Sequence, residues 1–584
     1  MSPRIFLLLC LFLLFSCKDE TPGPVQDDRM NDYALYDSAG GFHRFSRYNN
    51  KKAIVLFVQG NGCPIVRNYL NDLREIVDEY GPKGVQFFMV NSNIQDNRDT
   101  VESEVSKYGI EIPVLMDQNQ ILADELDIRI TAEVIVLHPV SRQILYRGPL
   151  NDRLDYEAQK DTSENDFLIE ALDGIINGSE VKSMPKAVRG CKVTRRVKFE
   201  TPLTYTEDIA PIFKNNCVRC HRDNGMAPWS MDEYQTIVGW SDMIKEVLIS
   251  KRMPPWKADP KIGKFSNSFA LAEQDARNII KWIESGMTKG EGSDPLKNLS
   301  EEPTKWSMGE PDYIVELKTE DLPATGIIPY RIQNFKFNDS VDRWIGHIDI
   351  RSSATKSVHH TLLTSQSNSR VEGLVKRKII PWNDNFLAIS AGSGWLNQAP
   401  KGTGIYLQKG SKLGMQLHYN ATGKREIDKT LIGFYYLNEP PEREYRSLAS
   451  TTRNFSIPAH TDEVKVVAFD TITQDVFVHA ICPHMHYRGK RASMFALLPD
   501  STRVDLVSVP DYNFNWQFQY LLEKPIFLPS GSVIVTEGIY DNTFQNPLNP
   551  NPSVDIGYGV QSTDEMLIGF MNYTLANQDT LTNN

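Results

Sequence analysis

Cysteine is scarce in this chain, and Cys482 is the only one after residue 220. The second half therefore cannot be a disulfide framework, and its stability has to come from apolar cores. Beyond the first 16 residues there is also no long hydrophobic run, so a membrane span of roughly 20 apolar residues is excluded there. Positive charge is not in excess. The chain has 63 Lys and Arg against 74 Asp and Glu, a net charge of -11, which argues against a nucleic-acid partner. Low-complexity tracts are lacking outside the segment that follows residue 16, and 41% hydrophobic residues over 584 positions suffice for several cores. The length predicts several domains of roughly 100 to 200 residues each.

The most informative stretch that is present is Asn216-Cys217-Val218-Arg219-Cys220-His221. Two cysteines separated by two residues can reach both vinyl groups of one haem, and the next residue then sits under the iron. A zinc ribbon would need a second Cys or His pair nearby, and apart from this motif no cysteine falls between 192 and 481. One covalently bound haem c is expected on Cys217 and Cys220, with His221 as an iron ligand. Met253, in Lys251-Arg252-Met253-Pro254-Pro255-Trp256, is the candidate for the other axial position, because a stiff Pro-Pro turn presents its thioether with little entropy left to lose. Met226 and Met231 are alternatives.

Residues 1–16 carry Arg4 and then the apolar run Ile5 to Phe15, too short for a stable span and read as an export signal. Leu14-Phe15-Ser16-Cys17 resembles the bacterial lipobox, which implies lipidation of Cys17 and a polar linker over 17–32. An ordinary cleaved signal with an incidental cysteine is the alternative. Lys18-Asp19-Glu20 resembles the sorting sequence of some outer-membrane surface lipoproteins. The expected location is the bacterial cell envelope, lipid-anchored at the outer membrane.

From 33 to 185 strand and helix patterns alternate. Ala53 to Val58 reads as a buried strand, Ile65 to Tyr80 as an amphipathic helix, Val85 to Val90 as the next strand, with further strands at Ile112 to Met116 and Glu133 to Leu137. With Cys63 at the helix start, the segment resembles the thioredoxin-like redoxin fold, in which a helix N-terminus lowers a thiol pKa. The second cysteine of that family's Cys-x-x-Cys is Val66 here, the proline before the late strand is Ala132, and Gly60 stands where peroxiredoxins have Thr or Ser. Cys63 is left as a lone reactive thiol, a disulfide partner of Cys191, or a relic in a structural domain.

Residues 200–295 read as helical: an N-cap at Thr206-Glu207-Asp208, then helices over Ser230 to Ser250 and Leu271 to Ser285. That make-up, around the haem motif, is expected of a small all-α cytochrome c-like domain. The remainder, 305–440 and 441–584, is strand-rich, with aromatic and β-branched runs between Gly, Pro, Asn and Asp, and predicts two β-sandwiches. Eight of the eleven histidines fall there, after residue 340. His484 and His486, at i and i+2, would project from one face of a strand and can share an ion. The tandem pair His359-His360 would point to opposite faces unless a bulge intervenes. His418 in Gln416-Leu417-His418-Tyr419 cannot be paired with anything by spacing alone and reads on its own as structural, and Met566 in Asp564-Glu565-Met566 reads on its own as core packing.

Taken in order, these motifs resemble the type II copper, ascorbate-dependent monooxygenases, the family of peptidylglycine α-hydroxylating and dopamine β-monooxygenases. The resemblance rests on Val358-His359-His360-Thr361, Gln416-Leu417-His418-Tyr419, His484-Met485-His486-Tyr487-Arg488-Gly489-Lys490 and Asp564-Glu565-Met566. It implies two jelly-roll-like sandwiches with two copper ions facing across a solvent cleft. His359, His360 and His418 would hold an electron-storing copper, and His484, His486 and Met566 the copper where O2 binds. Imidazole suits both copper oxidation states, and one thioether favours the cuprous ion. The Arg with which the peptide-hydroxylating members grip a carboxylate is Cys482 here, and their polar residues beyond the Met are Ile568 and Phe570. A peptidyl-glycine substrate is therefore not expected, and a more apolar pocket is.

The expected function is hydroxylation of a C–H bond of a small substrate by O2, with electrons from an ascorbate-like reductant or a redox protein passing through the fused haem. Two readings from other classes remain open: a non-enzymatic haem and copper electron-transfer or copper-handling lipoprotein, and an envelope assembly module with docking domains.

Overall fold

A computed structural model describes residues 30–577 apart from 155–158, 180, 182–186, 197–201, 224, 298–305, 366–385 and 392–396. The expected signal, Cys17 and most of the 17–32 linker lie outside the described residues. Among the described residues no helix is long and apolar enough to cross a membrane.

The N-terminal part is built on a five-stranded sheet in the order Val114–Met116, Val85–Asn91, Ala53–Gln59, Val134–Leu137, Ile144–Gly148. The first three strands are parallel and the last two antiparallel. The central strand AIVLFVQ is buried along its whole length, as a continuous apolar run covered on both faces requires. One face packs on helices Pro64–Tyr80 and Phe167–Asn177 through Val55, Phe57, Tyr69, Leu73 and Leu172. The other, carrying Ile54, Leu56 and Val58, packs on a cluster that includes Ile249 and Ile280 from the helical part.

Eight α-helices occur among the described residues. The four after residue 209 are short: Ala210–Asn216, Tyr234–Gly239, Ser241–Ile249 and Glu273–Glu284. They share a small core of Tyr205, Phe213, Ile237, Ile244, Ile279 and Trp282. The expected Thr206 cap is displaced. Tyr205–Ile209 is a π-turn preceded by Thr204, whose N–H donates to Asp208 Oδ2 at 2.7 Å. The single helix expected over 230–250 is broken at Gly239-Trp240, where Trp240 leaves helical geometry. This helical segment is small, and its reading as a cytochrome c domain rests on its side chains.

The rest of the chain is mostly β-sheet. Arg331–Lys336, Lys412–Tyr419, Val358–Ser365 and Phe386–Ala391 form one sheet, which faces a second sheet centred on Arg343–Ser352 and Thr430–Tyr436. Their shared core holds Leu363, Met415, Leu417, Ile348 and Phe434. Further on, the sheet Arg446–Thr452, Leu567–Leu575, Val476–His484, Tyr520–Leu528 faces the sheet Val464–Thr471, Val533–Tyr540, Gly489–Leu497, Arg503–Val509 across Val478, Ile481, Met494, Leu506 and Met571.

The parts are sewn together by specific contacts. Trp256 and Phe269, beyond the helices, join the last core, with Trp256 packed on Phe518 and Tyr520. The Asp511 carboxylate receives Arg47 at 2.8 Å and Lys257 at 2.9 Å, so one buried acid ties the first sheet domain, the helical segment and the last β-part. Arg98 grips Asp259 through two bonds of 2.7 and 3.1 Å. A cluster of Leu362, Phe386, Ile389, Ala449, Cys482, Ile568 and Phe570 joins the two β-parts.

Candidate functional site

The strand Val358–Ser365 lies between two neighbours, and its register sets His360 opposite His418. The pairing shifts between Val358 and His360, which is the irregularity a tandem pair needs to turn both imidazoles the same way. Ligand atoms of His359, His360 and His418 lie within 4.8 Å of one another. His359 Nδ1 is 2.9 Å from His360 Nδ1 and 3.2 Å from His418 Nδ1. All three residues are buried. Burial pushes His359 down to about 4 and His418 to about 3, and takes His360 well below its ordinary value with help from its neighbouring imidazoles. They are neutral imidazoles with converging ring nitrogens, the donor set that suits a copper ion.

His484 ends the strand Val476–His484, and His486 falls beyond it. The expectation of two imidazoles on one face of one strand is thus corrected: a turn, not strand alternation, sets their centroids 5.2 Å apart. Glu565 fixes this turn by accepting the backbone N–H of His486 at 3.0 Å, Arg488 at 2.7 Å and Met566 at 3.2 Å. The same carboxylate oxygen therefore ties the backbone N–H groups of His486 and Met566. Burial raises Glu565 to about 8 against those three donors. His484 is lowered to about 4 and His486 well below its usual value, both by burial.

One loop serves both clusters. His359 Nε2 donates to Asn515 Oδ1 at 3.1 Å, and His484 Nδ1 to Gln517 Oε1 at 2.5 Å. His486 Nδ1 donates to the Asp564 carbonyl at 3.3 Å. In each ring the nitrogen bonded to the acceptor oxygen carries the proton, so the other offers its lone pair. The Phe514 ring lies 5.0 Å from His359, 6.0 Å from His360, 5.7 Å from His418 and 5.9 Å from His486. Phe514 thus lies beside both clusters. Cys482 and Phe570 pack in the apolar contact between the β-parts.

Cys217, Cys220, His221 and Met253 line one apolar cavity of about 510 Å³, with Met226, Met231, Phe213, Trp229 and Ile244. His221 Nδ1 donates to the Trp229 carbonyl at 3.1 Å, leaving Nε2 unprotonated, as an iron ligand requires. Trp516, from the loop that carries Asn515 and Gln517, forms part of the same wall. The cavity, its two cysteines and the oriented imidazole fit a covalently bound haem. All three candidate thioethers border it, so position alone does not separate Met253 from Met226 and Met231.

Cys63 stands just before helix Pro64–Tyr80, and Cys191 lies against it with 2.9 Å between sulfurs, both as free thiols.

Residues 26–139 match the Redoxin family. The N-terminal part is accordingly a thioredoxin-like domain. Similar solved structures include a hypothetical protein from Sinorhizobium meliloti 1021, at 22% identity over 29% of this chain and 94% of that one, with a TM-score of 0.27. Another is an uncharacterized conserved protein from Geobacillus kaustophilus, at 25% identity over 29% of this chain and 92% of that one, TM-score 0.27. A third is a secreted Mycobacterium tuberculosis disulfide oxidoreductase homologous to E. coli DsbE, at 14% identity over 19% and 80%, TM-score 0.17. Among curated proteins, none matches the chain.

Sequence reasoning missed Phe514, Asn515, Trp516 and Gln517. An aromatic and amide run between strands carries no metal-ligand spacing, so no signal marked it. Glu565 was visible only as an acidic neighbour of Met566.

Proposed function

We infer that the chain is a copper-dependent monooxygenase that hydroxylates a C–H bond of a small apolar or aromatic substrate with O2. The overall reaction takes R–H, O2, two electrons and two protons to R–OH and water. The electrons come from an ascorbate-like reductant or a redox protein and enter through the haem-binding segment. Copper at His359, His360 and His418 would supply one-electron storage, and copper at His484, His486 and Met566 the O2 chemistry.

The observation that carries this reading is the orientation of the histidines. His359, His484 and His486 each tie one ring nitrogen to an oxygen acceptor and keep the other free, within buried clusters that hold the imidazoles neutral. A scaffold has no need of that arrangement. Asn515 and Gln517 orient the two clusters from one loop, Phe514 keeps water from the space beside them, and Glu565 holds the His486 turn against Met566. The same loop places Trp516 in the wall of the haem cavity, which supports electron delivery from that side rather than a separate haem function.

The test is metal content followed by turnover. Two coppers and one haem per chain are expected, with O2 consumption when a reductant is added, and Met566→Ala should abolish consumption while leaving the haem spectrum intact. Haem reoxidation that continues unchanged in copper-free protein would overturn the reading.

A further inference from the structure

The redoxin part carries a second arrangement of reactive groups, remote in sequence and independent of copper and haem. Cys63 Sγ lies 2.9 Å from Cys191 Sγ and 3.1 Å from Thr131 Oγ1. Cys191 is delivered there by a short added edge. The Cys191 N–H donates to Thr131 Oγ1 and the Thr131 N–H to the Cys191 carbonyl, both at 2.8 Å. Val193 N–H donates to the Arg129 carbonyl at 2.9 Å, and Ile130 and Lys192 form an antiparallel bridge. Gly190 makes the approach possible, since a Cβ there would run into the Thr131 carbonyl.

We propose that Cys63 and Cys191 form a dithiol–disulfide couple that accepts two electrons from an external dithiol, with Cys191 as the sulfur attacked first. Val66 occupies the place of a nearby second cysteine, and Cys191 supplies it from 128 residues further along the chain.

Access and leaving-group strength set the order of attack. Cys63 is 3% exposed, whereas Cys191 is open to solvent. Burial raises the Cys63 thiol, but hydrogen bonds from Cys191, Thr131 and the Val66 N–H outweigh it and leave Cys63 lowered; burial and its bond to Cys63 push Cys191 up to about 11. A thiolate attacks the accessible sulfur fastest when the other sulfur leaves easily. In the oxidised couple a donor thiolate therefore attacks Cys191 Sγ. The Cys63–Cys191 bond breaks, a donor–Cys191 bond forms, and Cys63 departs as a thiolate held by Thr131 and Val66. The donor's second thiol then attacks its own sulfur in that mixed disulfide and Cys191 is released. The donor ends as a disulfide, having given two electrons and two protons, and the two cysteines end as thiols.

The test uses full-length protein stripped of copper. Treatment with oxidised glutathione, acid quenching and peptide mapping should find Cys63 linked to Cys191, and reduced dithiothreitol should restore both thiols in a single two-electron transition. In Cys63→Ser, glutathione should accumulate on Cys191. In Cys191→Ser, Cys63 should stay unmodified in the folded protein over the same period. The wild-type arm does not depend on either variant folding: Cys63 remaining a free thiol while Cys191 carries glutathione would overturn the couple. Glutathione reaching Cys63 in Cys191→Ser as fast as it reaches Cys191 in Cys63→Ser would overturn the assigned order.

Discussion

Phe514 stacks on His359, with ring centroids 5.0 Å apart and 21° between the planes. Its other contacts reach His360, His418 and His486, so a single aromatic ring borders both candidate copper sites. The residues that follow it act outward from the same loop: Asn515 on His359, Trp516 on the cavity lined by Cys217, Cys220 and His221, Gln517 on His484. The loop also fixes its own geometry, because Gln517 Nε2 donates to the Phe514 carbonyl at 2.8 Å.

Asn515→Ala and Gln517→Ala should weaken copper binding at different sites. Each removes the acceptor that orients one ligand imidazole, a change that typically costs roughly 10- to 100-fold in metal affinity. Competition titration with a cuprous chelator is expected to show the loss at the His359 cluster for the first and at the His484 cluster for the second. Equal losses at both sites would mean that the loop acts as a whole and not through single hydrogen bonds.

Trp516→Ala should slow oxidation of the reduced haem by copper-loaded protein. It should leave oxidation by ferricyanide unchanged, since that reagent can approach from elsewhere. Stopped-flow absorbance after mixing separates the two rates, and equal slowing of both would mean that the haem environment itself had changed.

Asp511→Asn should loosen the junction of three parts of the chain. The carboxylate is nearly buried and pairs with Arg47 and Lys257, and leaving the buried Lys257 without its partner costs about 3 kcal/mol or more. Burial raises the Asp511 pKa, but Lys257, Arg47 and Arg44 outweigh it and hold the group below the ordinary carboxylate range. With a folded value below the unfolded one, its stabilisation is present above the unfolded pKa near 3.8 and is lost as pH falls through the folded value. Urea melts at pH 7 should show the variant destabilised, with the difference shrinking on acidification below pH 4.

Gly569→Ala should destabilise the last β-part by roughly 1 to 3 kcal/mol through overpacking. Gly569 pairs with Pro483, beside His484, and a Cβ there would meet Thr536 Oγ1 and, at 2.8 Å, Met494 Cε. Thr536→Ala removes the first of these clashes, and Thr536 Oγ1 has no hydrogen-bond partner to lose. The double variant should therefore recover part of the stability, as measured by thermal unfolding, whereas simple additivity would show that the clash is not the cause.

Local pattern made much of the N-terminal domain legible. The run AIVLFVQ and the apolar face of Pro64–Tyr80 set strand and helix within a residue or two of where they lie. The break at Gly239-Trp240 was hidden because the apolar period continues through it. The candidate ligand residues stood out by type and order, but their geometry did not. The irregularity that turns His359 is a property of pairing between strands, and His486 leaves its strand because Glu565, far along the chain, holds the turn.

The sequence alone determined which candidate groups the chain carries: a Cys-x-x-Cys-His run, histidines at spacings open to metal ligation, and a cysteine at a helix start. These follow from residue identity and short spacing, which folding does not alter. Only the tertiary structure decided which of these groups meet. Cys191 reaches Cys63, and the loop at Phe514 reaches His359 and the cavity lined by Cys217, Cys220 and His221, through contacts between segments more than a hundred residues apart. Such contacts are fixed by the burial of apolar faces against one another, and no local pattern encodes them.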